Sequence, residues 1–454
     1  MIEFFSIAFG YFSVFYMLYF LWQGFVYIRI ERGLIIKDIR YPVIKQKITI
    51  LFFHIKAILI LAYNQSSADE LFSLSTLFMG MIWIGFFLGF SYLWSKIYKN
   101  ACPLIWNGLF FLTSISTVIL IRLTPDLASR QIMWMVVAGI VMCILPFVIK
   151  IIGALERLEY LYAGIGLALL LAIFLFGSEE FGSARWIHIG SIGFSPAEIV
   201  SFVYILYLSS VFRKKLYFKQ LIIPSAVAGI HVVMLVSQRN LGAALILFMC
   251  YMIIMYIATG RAVLFFAGMI AFMGGSYLAY QLFSHVQVRV AVWQNPWSDI
   301  QGTGFQVIQS LFAIGTGGLF GSGLDMGLPL TVPVVARDMT FAAISEELGV
   351  IFSVGMLFVF VMVFYRGVHI ALRCKRRFHS LLAVGYTGVI AFQTFLIIGG
   401  TMNFIPLTGV TLPFISYGGT SLFVCMQMLA MLQWIHAHNE REVNEYNEEE
   451  GLEV

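Results

Sequence analysis

Acidic residues are concentrated where a long polar segment, which interrupts the apolar sequence, is followed by another apolar stretch. The interruption, residues 295–349, contains Pro, Gly, Gln and Trp and ends in Arg337-Asp338 and then Glu346-Glu347. If a helix already includes position 338, small residues at helical spacing share its face, Glu346 lies about 12 Å deeper and Glu347 turns away. The spacing therefore predicts a cavity-lining face with Asp338 at its mouth. The alternative is that Asp338 is an ordinary N-terminal helix acid, favoured by the helix dipole.

Polar residues at two other boundaries of apolar stretches are candidates for binding a polar ligand. Glu198 stands about one turn into an apolar span, where an ionised carboxylate needs a partner or a water-filled cavity. It could form a salt bridge with Arg185 or face a central polar cavity, and the two interpretations are compatible. Arg239 lies in a tight turn and could contact an anionic head group, whereas the adjacent Asn240 could simply cap the next helix.

Two further segments carry signals of unusual backbone. The pattern of residues 306–312, which begins with Gln306, predicts a short amphipathic helix lying at the membrane surface. Residues 403–421, which include Ser416 and Tyr417, hold two prolines, several glycines and hydroxyl side chains at the boundary of an apolar stretch. This composition predicts a broken or re-entrant backbone, which is tolerated only where it lines protein or water.

The composition identifies the class of protein that carries these residues. Of the 454 residues, 60% are hydrophobic and only 11% are charged, and the mean hydropathy is +0.91. These values are typical of a polytopic helical membrane protein and exclude an ordinary soluble domain. The five cysteines lie in or beside apolar segments without CxxC spacing, which predicts neither disulfides nor a structural metal site. The net charge of +5 gives no indication of a nucleic-acid partner.

Apolar runs of about 17–25 residues predict an all-α transmembrane bundle of about thirteen spans. The first run lacks a basic N-terminal region and a cleavage site, so we predict a retained helix and not a signal peptide. The predicted spans are 4–27, 47–64, 73–95, 103–122, 132–152, 160–177, 196–212, 220–237, 241–258, 262–283, 340–365, 381–402 and 411–435.

The charges of the connecting loops alternate along the chain. Loops such as 29–47 and 366–377 are basic, whereas loops such as 178–196 and 284–339 are acidic or nearly neutral. The positive-inside rule then predicts an external N-terminus, a cytoplasmic C-terminus and an external 284–339 loop.

A change in composition near residue 100 predicts two parts within the membrane region. Residues 1–100 hold few unusual polar residues apart from their loop charges, whereas Gly, Pro and buried-looking polar residues cluster at helix ends further on. We predict three additional N-terminal helices in 1–100, a ten-helix functional core in 101–437 that includes the 284–339 loop, and a polar cytoplasmic tail in 438–454.

Seven motifs follow one another in order across residues 104–437. They are ARWIHIG…FSPAEI at 184–199, RNLGAAL at 239–245, NPWSDIQGTGFQ at 295–306, AIGTGGLFGSGL at 313–324, RDMTFAAISEELG at 337–349, NFIPLTGVTLPFISYGGTS at 403–421, and Arg130-Gln131 after the fourth span. Together they resemble the SEDS family (FtsW, RodA and SpoVE), membrane glycosyltransferases that polymerise a lipid-linked peptidoglycan precursor. A single motif is a weak signal, whereas the run from 295 to 421 is highly specific.

The resemblance implies roles for individual residues. Asp338 corresponds to the family's essential acid and would act as the general base on the acceptor 4-hydroxyl. The diphosphate leaving group needs cations, for which Arg185 is the first choice, with Arg130 and Arg239 as weaker ones. The acid Glu198 also matches the family pattern. Further substrate-binding candidates within the resembling segments are Glu346, Gln306, Ser416 and Tyr417.

The resemblance also implies partners and a location. These are lipid II as substrate, a class B penicillin-binding protein as transpeptidase partner, membrane lipids, and a multi-pass position in the bacterial cytoplasmic membrane. A divalent cation, Mg²⁺ or Mn²⁺, is the expected cofactor if arginines alone do not stabilise the leaving group, and no organic cofactor is expected.

The sequence departs from the family pattern around the proposed base. Arg337 and Met339 flank Asp338 where His-Thr and Phe are usual, and Asn240 and Ser195 replace a common Asp and Gln. Two other functions therefore stay open. One is a flippase for the same lipid, suited by intramembrane acids and broken backbone. The other is a non-catalytic scaffold of the division, elongation or sporulation machinery.

Overall fold

The computed structural model of the protein describes residues 2–66, 71–152, 154–180, 183–189, 192–214 and 217–449. Within them the chain forms fifteen α-helices and one small antiparallel sheet. The helices are α1 Ile2–Glu31, α2 Arg40–Asn64, α3 Leu74–Ile97, α4 Pro103–Leu123, α5 Pro125–Ile152, α6 Glu159–Phe176, α7 Pro196–Phe212, α8 Phe218–Ser237, α9 Leu241–Thr259, α10 Ala262–Leu282, α11 Ser284–Gln294, α12 Phe305–Gly317, α13 Thr340–Arg373, α14 Arg377–Thr401 and α15 Gly419–Glu449.

Each of the thirteen predicted spans coincides with one of these helices, which confirms the polytopic helical fold. Among the described residues, eleven helices are long and apolar enough to cross a membrane. The other two predicted spans are α2, which carries lysines and a histidine in its sequence, and α7, which is an apolar helix of only 17 residues. The count of thirteen spans and the orientation of the termini stay predictions.

The bundle is organised around α4, which is the most deeply buried of the membrane helices. The apolar window of this helix is buried along its whole length, because α2, α3, α5 and α13 pack around it. Lipid-facing helices such as α10 instead expose their apolar side chains on the outside of the bundle. The difference follows from the solvent, because a membrane protein can bury apolar side chains either against other helices or in lipid.

The structure corrects three boundaries near the candidate site. The last span begins at Gly419, not at 411, because residues 402–418 form the non-helical backbone that the composition predicted. The loop predicted at 284–339 contains two helices, α11 and α12, of which α12 confirms the predicted short helix. Helix α13 begins at Thr340, so Asp338 precedes it and does not share its face.

A small sheet replaces the loop predicted at 178–196. Its strands are β1 Ser178–Glu180, β2 Ser183–Ile189 and β3 Ile192–Phe194, paired antiparallel in that order. The alternation in Arg-Trp-Ile-His-Ile suits a strand, in which successive side chains point to opposite faces. The sheet connects α6 to α7 and carries Trp186 toward the site described below.

Helix α13 is broken at Gly349, which has φ +88° and ψ 164°. This conformation is essentially restricted to glycine and interrupts the helical hydrogen bonds. The segment 318–323 satisfies the backbone groups on both sides of the break. Its Ser322 and Gly323 N–H groups donate to the carbonyls of Glu346 and Glu347 at 2.8 and 3.1 Å. In return, the Val350 and Ile351 N–H groups donate to the carbonyls of residues 318 and 319 at 3.0 and 3.2 Å. A broken helix at membrane depth requires partners of this kind.

Candidate active site

A polar cavity of about 310 Å³ opens at the end of the bundle where α7, α9, α11, α12, α14 and the turn before α13 meet. The non-helical 402–418 segment completes its wall. Four of the residues singled out in the sequence line this cavity, namely Glu198, Gln306, Asp338 and Tyr417. Three lining residues that sequence reasoning did not assign to the site are Arg289, Arg337 and Trp186.

Asp338 is half-buried and lies in the turn that leads into α13. Its backbone N–H donates to the Val334 carbonyl at 3.1 Å, and its own carbonyl accepts from the Thr401 hydroxyl at 3.4 Å. Thr340, two residues further, donates from its hydroxyl to the Val335 carbonyl at 2.9 Å. These bonds join the turn to its own loop and to the end of α14, so the backbone that carries the carboxylate is held on both sides.

Arg337 lies between two aromatic rings on the cavity wall. Its guanidinium carbon is 5.8 Å from the ring centre of Trp186 and 5.6 Å from that of Tyr417. Both distances are within the range of a cation–π contact, which also restrains the orientation of the planar guanidinium. The backbone N–H of Tyr417 donates to the Ala336 carbonyl at 2.8 Å, which ties the two segments together. In the sequence, Arg337 could have been noticed because it departs from the family pattern immediately before Asp338.

Glu198 lies in the first turn of α7 and faces the same cavity. Its carbonyl accepts a hydrogen bond from the Ser201 hydroxyl at 2.6 Å. The neighbouring Ser195 N–H donates to the Thr420 hydroxyl at 3.2 Å, which connects the start of α7 to the start of α15. Asn240 is at the N-cap position of α9, but its side chain makes no capping hydrogen bond and lines the cavity instead.

Helix α11 closes one side of the cavity and contributes Arg289. The guanidinium of Arg289 donates to the Leu407 carbonyl at 3.0 Å, and Trp293 on the same helix donates to the Phe404 carbonyl at 3.2 Å. Asn403 donates back to the Trp293 carbonyl at 3.2 Å. Sequence reasoning missed Arg289 because it treated this stretch as a loop, and the fold alone brings α11 onto the 402–418 segment.

Hydrogen bonds from buried side chains hold the non-helical 402–418 segment in place. The Gln131 amide donates to the Ser416 carbonyl at 3.0 Å and accepts from the Gly418 N–H at 3.2 Å. The Ser416 hydroxyl donates to that of Thr340 at 3.1 Å, so Ser416 is buried and is not among the cavity-lining residues. Gln306 lines the cavity and its amide donates to the Pro333 carbonyl at 3.4 Å.

Of the other predicted site residues, those whose side chains the structure describes do not line the cavity. Arg130 and Arg239 are exposed on the surface, and Arg239 has a left-handed backbone with φ 60°. The backbone of Arg185 belongs to β2, and its side chain lies outside the described part of the structure. Glu346 is buried behind the wall, where its Oε1 accepts from the Leu328 N–H at 2.8 Å. The prediction that Asp338 and Glu346 share one cavity-lining helix face is therefore wrong. Helix α13 starts after Asp338, and the Glu346 side chain points toward the loop that contains Leu328.

A buried ionic cluster supports the loop in front of α13. The Arg122 Nε on α4 lies 3.0 Å from Glu347 Oε1 and 2.5 Å from Asp325 Oδ1, and the Arg122 Nη2 donates to the Gly327 carbonyl at 3.1 Å. The Glu347 side chain is only 1% exposed, so its carboxylate depends on this arginine for compensation. Like Glu346, Glu347 does not line the cavity.

The cavity presents a limited set of donors to a metal ion. Among the described residues, no group of three or more His, Cys, Asp or Glu side chains is arranged to hold one. The two cavity carboxylates, Glu198 and Asp338, are hard oxygen ligands. Magnesium commonly binds through one or two carboxylates together with substrate phosphates, so the donor set fits a cation that arrives with a phosphorylated substrate.

A helical membrane bundle with a cavity of carboxylates, arginines and aromatic rings defines a polytopic membrane protein with a polar site. Comparison with known proteins gives the family. The sequence profile of the FtsW/RodA/SpoVE family of cell cycle proteins matches residues 96–441, and the chain belongs to this family. It is therefore a multi-pass membrane protein of that family.

The similarities extend over most of the chain. It is 34% identical over 324 residues to the peptidoglycan glycosyltransferase RodA of Mycobacterium tuberculosis, which covers 67% of this chain and 69% of that protein. A chain of a solved peptidoglycan synthase complex superposes with a TM-score of 0.64 at 23% identity, covering 75% of this chain and 99% of that one. The rod shape determining protein RodA of Thermus thermophilus superposes with a TM-score of 0.55 at 22% identity, covering 74% and 97%. These superpositions confirm the fold.

Proposed function

We propose that the protein is a peptidoglycan glycosyltransferase that polymerises lipid II into glycan strands on the predicted outer face of the membrane. The observation that carries the proposal is the position of Asp338, half-buried in the wall of a cavity that also presents Arg337 and Arg289. The proteins similar to this chain include enzymes named peptidoglycan glycosyltransferase, which supports the reaction class.

In this mechanism Asp338 is the general base. Its carboxylate takes the proton of the acceptor 4-hydroxyl, whose oxygen then forms a bond to the anomeric carbon of the donor sugar. The bond between that carbon and the diphosphate oxygen breaks, and the lipid diphosphate leaves with the electron pair. A base of this kind has to reach within about 2.6–3.2 Å of the hydroxyl oxygen. The half-buried position of Asp338 in the wall suits a substrate that enters from the cavity.

The leaving diphosphate develops negative charge, which cations already held in position around it stabilise. Arg337 and Arg289 line the cavity and are suited to this role. A divalent cation held by Glu198 and Asp338 with the substrate phosphates would supply the same charge compensation as a Lewis acid. We expect EDTA to lower the polymerisation rate and added Mg²⁺ or Mn²⁺ to restore it. An EDTA-resistant rate would assign the stabilisation to the arginines alone.

The proposed partner is a class B penicillin-binding protein, which cross-links the strands that this enzyme makes. The support is the similarity of the fold to a chain from a peptidoglycan synthase complex. Co-purification of the two tagged proteins from membranes tests the partnership. Recovery of the glycosyltransferase without a transpeptidase, under conditions that preserve other membrane complexes, would exclude a stable pair.

The decisive experiment is lipid II polymerisation by the purified protein. We expect Asp338→Asn to lower the rate by about a hundredfold or more, the usual contribution of a general base. Asp126→Asn is the matched control, because Asp126 is an exposed acid in the first turn of α5. Parental activity in Asp338→Asn would refute the proposed mechanism.

A flippase for the same lipid is the second candidate function. The observations that favour it are the Glu198 carboxylate inside the cavity and the non-helical 402–418 backbone, which are features of transporter sites. Movement of labelled lipid II across proteoliposome membranes distinguishes the two. Transport that is lost in Glu198→Gln and retained in Asp338→Asn would favour the flippase.

A further inference from the structure

Helix α1 lies outside the region that the family profile matches, yet it packs against α13. A side chain at Gly355 of α13 would meet Met17 of α1 at 2.3 Å, and one at Gly24 of α1 would meet Met362 at 2.8 Å. Glycines at such positions let two membrane helices approach closely. The two helices are therefore closely packed against each other at these glycines.

A buried ion pair fixes the register of α1 at one end of this contact. The Arg366 guanidinium of α13 is 1% exposed and donates to both carboxylate oxygens of Glu31, at 2.5 and 3.0 Å. A two-bond arginine–carboxylate pair has a defined geometry, so it resists sliding of one helix along the other. Tyr27, one turn before Glu31 on α1, also contacts the guanidinium, with its ring centre 5.8 Å away.

At its other end α1 contacts the 318–323 segment that fills the break in α13. A Cβ at Gly10 would meet the Phe320 carbonyl oxygen at 2.6 Å, and the rings of Tyr11 and Phe320 have centres 4.8 Å apart. A Cβ at Gly323 would meet the backbone of Ser6 at 3.0 Å. Backbone thus lies directly against backbone at this contact.

The opposite side of the same segment lies against α13. A Cβ at Gly321 would meet the Glu347 carbonyl oxygen at 2.2 Å, and the four hydrogen bonds across the break are on this side. The segment is therefore a thin layer between α1 and the broken helix. It transmits a displacement of α1 to the break, because close-packed backbone has no side chain that could absorb the movement.

The part of α13 before the break contains only nine residues, 340–348. A helix this short is not stable by itself in water and takes its position from the contacts around it. Asp338 lies two residues before this short helix, so the direction of the helix contributes to the position of the carboxylate, together with the hydrogen bonds to Val334 and Thr401.

We propose that α1 is a positioning element for Asp338, with Gly10 and Tyr11 as its positioning residues. Through the 318–323 segment they hold the short first part of α13, and so the carboxylate, at the distance that proton transfer requires. The inference rests on the proposed glycosyltransferase function and adds a role for the N-terminal helices, which the matched family region does not include. A misplaced catalytic group lowers the rate of the chemical step while substrate binding is retained.

The test compares Gly10→Ala and Tyr11→Ala with two controls in the same N-terminal helices. Gly89→Ala adds a methyl group where nothing lies within 4 Å, and Leu18→Ala truncates a side chain on α1 that is 52% exposed. In lipid II polymerisation we expect kcat to fall at least tenfold in both Gly10→Ala and Tyr11→Ala, with KM within twofold of the parent. The controls keep the parental kcat. Unchanged kcat in Gly10→Ala, or equal losses in the controls, would overturn the proposal.

A second measurement does not depend on turnover. In an Asp338→Cys background, the rate at which a water-soluble maleimide labels the introduced thiol reports the position of residue 338. We expect Gly10→Ala to change this rate at least threefold and Gly89→Ala to leave it unchanged. An unchanged labelling rate overturns the positioning role whatever the activity. If the parent does not polymerise lipid II while the labelling responds as expected, the proposed function fails and the mechanical coupling stands.

Discussion

The guanidinium carbon of Arg337 lies 5.6 Å from the ring centre of Tyr417, whose backbone N–H bonds to the carbonyl of the residue before that arginine. The same guanidinium carbon lies 5.8 Å from the ring centre of Trp186. Three distant parts of the chain, β2, the turn before α13 and the 402–418 segment, thereby meet next to Asp338. The arrangement restrains a planar cation beside the proposed base.

The first prediction concerns this cation. Arg337→Met removes the charge and Arg337→Lys keeps it, but lysine lacks the planar group that contacts the two rings and binds an oxyanion with two bonds. We expect about a tenfold rise in KM for lipid II in the methionine variant, which corresponds to about 1.4 kcal/mol, and partial recovery in the lysine variant. Arg130→Met, at an exposed position outside the cavity, is the control. Equal KM values in all three variants would contradict the assignment.

The second prediction concerns the Arg122–Glu347 pair. Arg122→Met leaves the buried Glu347 carboxylate without its cation, and breaking a buried pair costs about 3–5 kcal/mol. Thermal unfolding in detergent should show a clear loss of stability. The double variant Arg122→Met/Glu347→Leu should recover part of the loss, because it removes the fully buried carboxylate, whereas Asp325 still lacks its cation. A double variant less stable than Arg122→Met alone would speak against this account.

The third prediction tests the break in α13. At Gly349 a methyl group would meet the Gly321 nitrogen at 2.4 Å, and the φ of +88° disfavours any L side chain. We expect Gly349→Ala to lower the unfolding temperature and the polymerisation rate together. Gly164→Ala in α6 is the control, because nothing lies within 4 Å of its added methyl group. A fully active and equally stable Gly349→Ala protein would show that the break is dispensable.

The fourth prediction concerns pH. Partial burial, and then the nearby guanidinium groups of Arg289 and Arg239, lowers the pKa of His285 on α11. The folded protein therefore favours the neutral imidazole. The stability that this contributes is fully present above the ordinary histidine pKa of about 6.5, and it is lost as the pH falls through the lowered pKa of the folded protein. We expect the unfolding temperature to decrease more steeply on acidification in the parent than in His285→Gln. Parallel curves for the two proteins would contradict the pKa shift.

The positions of the membrane helices were predictable because hydropathy is a local property. A run of apolar residues long enough to cross a bilayer has few alternatives to a helix, so each predicted span has its helix. The secondary structure was predicted less completely in segments where polar and apolar residues are mixed. The sheet at 178–194 and helix α11 lie in the segments 178–196 and 284–339, which were predicted as loops, and the helix break at Gly349 has helix-compatible neighbours on both sides.

Individual site residues were predictable when a motif or an unusual polar position marked them. Asp338, Glu198, Gln306 and Tyr417 were named from the sequence and line one cavity. Arginines were harder to assign, because many of them lie at helix ends and the sequence does not say which of these ends converge. Arg130 and Arg239 are on the surface, whereas Arg289 and Arg337 reach the cavity.

The sequence by itself determined that this chain is a helical membrane protein, which family its motifs resemble, and which acid is the candidate base. These properties depend on residue type and on local order along the chain. Only the tertiary structure decided that Arg337 lies between Trp186 and Tyr417, that Arg122 compensates Glu347, and that α1 supports the segment filling the break in α13. Each of these relationships joins parts of the chain that are distant in sequence, so its geometry exists only once the helices have packed.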